Sequence, residues 1–368
     1  MAGTDLVAWW LSPALEASGS AGQLRDRRRL IIDVTQPPFR ARGDGHADDA
    51  PAIQAALDAA AAAGGGVVYL PAGTYHLGSI QEQAGVRYFI LNYRSGVSMV
   101  GAGRDLTVLR APVGMPDQTR IISANSADGN SRVIGAAFQD FTIDGNAASQ
   151  PDARSSVGIS NVYTTSIAHV GIRIVGVKGL ADAEGTCFDS YASATNTYRN
   201  CEAIQRPGEP TGSGFSATQS TGTTYAQCAA SGSAYWQGFT TYQSQGVDYV
   251  DCHGYINGQR GLNCESSTDV RYVNCRAGGD AIGNRGDGVY VFKSTNVDLI
   301  DCTSQANQSG LVNIGSNVRI LRGEFMANRE AGLAFGSMED WQNSSIDTAS
   351  VLTANGGGAV AIAGLPIA

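Results

Sequence analysis

Charge is scarce in this chain: only 16% of its 368 residues are Asp, Glu, Lys or Arg, where about a quarter is usual. The net charge of −8 leaves no basic face for a nucleic-acid partner, although a few local arginines can still hold an acidic glycan. Histidine is scarcer. His46, His76, His169 and His253 are the only four, and none stands at metal-ligand spacing. No apolar run approaches the ~20 residues of a membrane span. Phosphate-cradling glycine loops and a D-x-D-x-D-G calcium loop are also missing, so neither cofactor nor metal is expected. Seven cysteines, an odd number, argue against a complete disulfide framework. Asp5 comes early and Arg25, Arg27, Arg28 and Arg29 come late, the reverse of a secretory signal. The expectation left is an extracellular place reached by another route, or a place in a virion.

What the chain has in plenty is glycine, 47 residues, within a composition that is 43% hydrophobic. That combination suits many short strands joined by tight turns around a real core, not disorder. The strands repeat. Cys201, Cys228, Cys252, Cys275 and Cys302 are separated by 27, 24, 23 and 27 residues, and two further ladders keep the same separations. One runs Phe188, Phe215, Phe239, Leu262, Val289; the other runs Ser193, Ser220, Ser244, Ser267, Ser294. Each apolar residue precedes its cysteine by 13, so insertions fall only between a cysteine and the next rung. Each unit reads as two short β runs ending in an Asx suited to a left-handed bend. Such units bury a core only when stacked. The leucine-rich consensus and the 3.6-residue period of a helical solenoid are both absent. The fold class is all-β, a right-handed parallel β-helix, with one cysteine per coil packed inward as a small hydrophobe.

Residues 48–63, DDAPAIQAALDAAAAA, read as a helix capping the open end of the coil, with Asp48 or Asp49 near its start and a proline in its first turn. Asp44, Asp48 and Asp49 are read as turn and cap residues, not catalytic ones. Residues 1–32 form a separate segment, amphipathic over 4–17 and then basic; residues 33–368 form the β-helix. The stretch ARGDGHADDAPAIQAALDAAAAAGGGVVYLPAGTY resembles the opening of the pectate-lyase-like superfamily. That group includes polysaccharide lyases, alginate epimerases and many phage tailspikes, so the resemblance implies a carbohydrate-active β-helix.

The inward ladder fixes what points outward. One residue beyond each rung stand Asp189, Ser216, Thr240, Asn263 and Tyr290; three beyond stand Tyr191, Thr218, Tyr242, Glu265 and Phe292. Polar and aromatic side chains in adjacent rungs suit sugars, with their hydroxyls and flat apolar faces. The next rung carries Val312 and Ile314, which reads as an exposed apolar stripe and a candidate subunit contact. Variable turns at the rim carry Arg206 with Glu209, Trp236, Arg260, and Arg285 with Asp287. EGTCFDSYAS, residues 184–193, resembles the catalytic YGFDPHE segment of mannuronan epimerase modules. It puts Asp189 on the catalytic aspartate, but Thr186, Tyr191 and Ala192 replace the family's tyrosine, histidine and glutamate. Arg154 is the basic residue nearest the place of the family's lysine.

From these residues the expected catalytic groups are Asp189, Tyr191 and Glu265. Arg154, Arg206, Trp236, Thr240, Tyr242, Arg260, Asn263, Arg285, Asp287 and Tyr290 are the expected polysaccharide-binding groups. Three readings stay open: a lyase, epimerase or hydrolase acting on an acidic polysaccharide; a tailspike-type homotrimer; and a glycan-binding β-helix without catalysis.

Overall fold

The computed structural model describes residues 30–83, 87–124, 132–206, 208–279, 282–362 and 365–367. The amphipathic stretch 4–17 and the arginine cluster lie outside them. In the repeat region each coil lays down three short strands, one on each wall of a β-helix. For one coil they are Thr186–Tyr191, Thr197–Arg199 and Glu202–Ile204. The next coil places Ser213–Thr218, Thr224–Ala226 and Ala229–Ser231 beside them, parallel and in register. A 12-stranded sheet forms the third wall. A 23-stranded sheet holds the other two, merged because Val289–Ile300 and Leu311–Leu321 run through the corner between them. The sequence reading counted two strands per coil. The third is only three residues long, and the variable loop after it breaks the periodicity that would reveal it.

Columns of identical side chains fill the interior, because parallel strands in register put equivalent atoms one strand spacing apart. Phe188, Phe215 and Phe239 stack at centroid distances of 4.5 and 4.8 Å. Tyr198, Tyr225, Tyr249 and Tyr272 stack at 4.8 Å from the second wall. All seven cysteines are free and buried, and the ladder thiols lie against backbone carbonyls, as Cys252 Sγ does at 3.4 Å from the Val250 oxygen. The expected left-handed bend is present. Asn200, Gln227, Asp251, Asn274 and Asp301 all have φ between 51° and 56°, a conformation Asn and Asp tolerate better than most residues.

Two side-chain ladders tie the corners. The Ser193 N–H donates to Ser220 Oγ at 3.1 Å, and the pattern repeats through Ser244, Ser267 and Ser294. At the corner leading back to the first wall, Asn257 N–H donates to Asn284 Oδ1 at 3.0 Å, continuing through Asn307, Asn328 and Asn355.

At the N-terminal end helix α1, Ala50–Ala62, has its proline in the first turn and buries Ile53, Ala56, Leu57 and Ala60 against the strands Gly66–Leu70 and Arg87–Asn92. Asp49 occupies the N-cap without a capping bond. Its carboxylate instead accepts the N–H groups of Arg42 and Gly43, at 2.6 and 3.0 Å. Asp48 accepts from Ala50 and Gly78, and Asp44 from His46 and Ala47, so all three carboxylates serve turns. The expected apolar stripe is partly exposed. Val312 and Ile314 are half-buried, since Val312 pairs with Ala334 of the next coil and Gly336 lies against Ile314.

Two rungs of the interior tyrosine column leave a hydroxyl buried without a partner, at Tyr225 and Tyr272. Tyr198 and Tyr249 hydroxyls pair with Ser190 Oγ at 2.7 Å and Thr241 Oγ1 at 2.6 Å. The equivalent residue facing Tyr225 is Ala217, and the Tyr225 hydroxyl is buried without a partner. Ala217→Ser is therefore expected to raise stability by about 1 kcal/mol in equilibrium urea unfolding; a loss of stability would contradict this packing.

Candidate functional site on the first wall

The outward columns of the first wall stand as the alternation requires. Asp189, Ser216, Thr240, Asn263 and Tyr290 are register partners, as are Tyr191, Thr218, Tyr242, Glu265 and Phe292. Asp189 is partly exposed and accepts a 3.3 Å hydrogen bond from Ser160 Oγ, one coil below. Burial pushes its carboxyl up to about 6, against the opposing pull of the Arg120 charge and the Ser160 hydroxyl. Arg120 lies two coils below, in the column of Val157 and Thr186. Sequence reasoning missed it, because that column is not continuous in residue type.

Glu184 was missed as well. It stands in the turn just before the strand Thr186–Tyr191 and accepts a short hydrogen bond from Ser213 Oγ of the next coil. As a residue Glu184 keeps solvent access. The protein packed around its carboxyl nevertheless raises its pKa, and the charges of Asp189 and Glu265 push it the same way, while the Ser213 hydroxyl acts against them. A carboxyl that is crowded by protein, reachable by solvent and flanked by like charge is the pattern of an acid–base group. Tyr191 is half-buried and meets Tyr163 edge-on at 6.1 Å.

Farther along the wall the structure gathers five expected residues. Arg260 Nη1 donates to Asn263 Oδ1 and Glu265 Oε1, each at 3.0 Å, and its guanidinium carbon lies 3.5 Å from the centroid of the Tyr290 ring. Burial raises the pKa of Asp287, with the Arg260 charge opposing. Burial likewise raises Tyr290, again against Arg260. Glu265 is three rungs from Asp189 along the wall, about 14 Å at strand spacing, so these two do not form a close carboxyl pair.

The rim residues divide. Arg206 does not stay at the groove: it reaches back to Asp144 on the third wall with contacts of 3.2 and 2.8 Å, because that buried carboxylate is a stronger partner than solvent. Arg154 pairs with Asp182 in a short contact at the rim. Trp236 donates its indole N–H to the Leu180 carbonyl at 2.8 Å, which lays the ring over the turns of the two preceding coils. Arg285 is exposed, Tyr242 is 37% exposed, and Thr240 Oγ1 is buried without a partner. Among the described residues no group of three His, Cys, Asp or Glu can hold a metal ion, and no helix is long and apolar enough to cross a membrane.

A family model described as rhamnogalacturonase A/epimerase, pectate lyase-like, matches residues 34–252. Mannuronan C5-epimerase AlgE2 of Azotobacter vinelandii is 41% identical over 116 residues, 31% of this chain and 11% of that protein. Alginate lyase 7 of the same organism is 44% identical over 109 residues, 29% of this chain and 12% of that protein. The match thus spans only a small part of these relatives. Among solved structures, the A-module of the A. vinelandii mannuronan C-5 epimerase AlgE6 superposes with a TM-score of 0.70 at 23% identity, covering 92% of this chain and 99% of that one. The Dettilon tailspike protein superposes at 0.65 and 13% identity, covering 90% of this chain and 68% of that one.

Ionising Asp189 has an energetic cost. A carboxyl raised to about 6 in the fold binds its proton more tightly there than in the unfolded chain, so stability falls as pH rises from the ordinary aspartate range through about 6. The loss is on the order of 3 kcal/mol above that pH. Asp189→Asn is expected to remove it, giving a higher Tm than the parent at neutral pH and an equal Tm near pH 4. Equal values at both would show that burial does not tax this carboxylate.

Proposed function

Because the chain belongs to the rhamnogalacturonase A/epimerase, pectate-lyase-like family, we propose that it acts on a uronate-containing polysaccharide bound along the first wall, removing the proton beside the uronate carboxylate. One observation carries the reading. Asp189 stands on the polar column, reachable by solvent, with a carboxyl pushed to about 6, poised to exchange protons near neutral pH. Proton abstraction at such a carbon also needs positive charge for the carbanion-like intermediate. Arg120, two coils below, supplies a charge that acts on Asp189. Tyr191 closes one side of the same strand as a second proton-handling or stacking group.

The remaining groups bind. Arg260, held by Glu265 and Asn263 and stacked on Tyr290, offers a fixed edge of donors to a carboxylate farther along the chain. Tyr242, between the two clusters, offers sugars a ring face and a hydroxyl, Arg154, Trp236, Arg285 and Asp287 form the rim, and Thr240 stands in the same column with its hydroxyl buried. The epimerase and lyase relatives support the substrate class, since mannuronan and alginate are the polymers in their names.

Polymannuronate is the probe. The protein is expected to exchange solvent deuterium into the uronate, or to change or cleave it, and Asp189→Asn is expected to lower the rate at least ~100-fold with the circular dichroism spectrum unchanged. The base must be ionised, so the parent rate should fall as pH drops below about 6. Full activity in the Asn variant removes Asp189 from the site.

A further inference from the structure

Glu184 has no role in the reading above, yet its placement completes it. The residue ends a turn locked by glycine contacts. A Cβ on Gly185 would fall 1.7 Å from the Lys178 carbonyl oxygen, and one on Gly212 would fall 2.0 Å from the Gly185 oxygen. Side chains are thus excluded at both positions, and the turns of successive coils close to backbone contact. Ser213 N–H donates to the Gly185 oxygen at 2.7 Å, and Ser213 Oγ holds the Glu184 carboxyl. Ser213 faces Thr186 in register, three residues before Ser216, which faces Asp189. The Glu184 carboxyl is therefore fixed on the coil above, about 10 Å along the wall from the Asp189 backbone position. Asp189 is held from the opposite side, by Ser160 of the coil below. The two carboxyls are thus tethered to opposite neighbouring coils, Glu184 to the one above and Asp189 to the one below.

We propose that Glu184 is the proton donor opposite Asp189, so that the groove cleaves its polysaccharide by elimination. This rests on the proton-abstraction reading of Asp189. Asp189 takes the proton from the carbon beside the uronate carboxylate, and that C–H electron pair becomes the new C=C bond. The adjacent C–O bond to the leaving sugar breaks, its electron pair stays on oxygen, and that oxygen takes the Glu184 proton. Asp189 ends protonated and Glu184 ionised; exchange with solvent resets both. The division of labour follows from charge. The Asp189 charge raises the pKa of Glu184, so with Asp189 ionised Glu184 keeps its proton to higher pH. The hydroxyl of Ser213 favours the ionised form that Glu184 reaches at the end of the step.

The test uses the full chain and polymannuronate in deuterated buffer, with carbon-detected carboxyl titrations on the protein alone. Glu184→Gln is expected to keep deuterium exchange beside the carboxylate while losing unsaturated chain ends at least ~100-fold. Asp189→Asn is expected to shift the Glu184 titration downward, and Ser213→Ala to shift it upward. Equal loss of exchange and cleavage in Glu184→Gln, or undiminished cleavage, overturns the assignment, as does a Glu184 titration indifferent to Asp189→Asn. Parent protein that neither exchanges nor cleaves polymannuronate overturns the proton-abstraction reading itself; exchange without unsaturated ends in the parent overturns the elimination alone.

Discussion

A backbone N–H at a corner, accepted by a side-chain oxygen from the next coil, is the interaction on which the rest of this molecule depends. Between flat strands the backbone satisfies itself, but at a bend the sheet ladder is interrupted and a buried N–H is costly to leave unpaired. Ser220, Ser244, Ser267 and Ser294 accept those bonds at one corner, and Asn284, Asn307, Asn328 and Asn355 at another. Each oxygen belongs to the residue one coil on, so the bond fixes register as well as satisfying the donor. Shifting one coil by a residue would orphan its rungs and turn its outward side chains inward. The polar wall is a consequence of that locking.

The sequence was legible where one residue type recurs at one separation. Serine, cysteine and the Phe/Leu/Val rung share their spacings, and from them both outward columns follow by alternation alone. The asparagine ladder shares the mechanism but was not legible: from Asn257 to Asn355 its steps follow turns of changing length, so it shows no period. Chemistry was less legible than architecture for a related reason. Asp189 sits inside a strand and inherits its direction from Phe188. Glu184 sits in a turn, where alternation says nothing, and Arg120 acts from two coils away. Arg206 shows the converse: it stands in a variable turn, but a guanidinium arm is long enough to find Asp144 on another wall.

Carboxyls at odds with their surroundings gather near the first wall, as expected where function competes with stability. Asp189, Glu184 and Asp287 are carboxyls whose surroundings favour the proton. Thr240 Oγ1 and Glu209 Oε2 are buried there without partners. The second wall is different. Its outward column Asp248, Arg271, Asp298, Arg319 alternates in sign and is closed by paired contacts of 2.6 to 3.2 Å, which leaves its charges matched to one another. One face of the coil is electrostatically finished and the other is not.

A crystal structure of the full chain soaked with a mannuronate oligosaccharide tests the central claim most directly. The account places the sugar on the first wall, crossing the coils from Asp189 to Tyr290, with one uronate carboxylate near Arg120 and another near Arg260. A sugar seated on the second wall, or none on the first at saturating concentration, would contradict it.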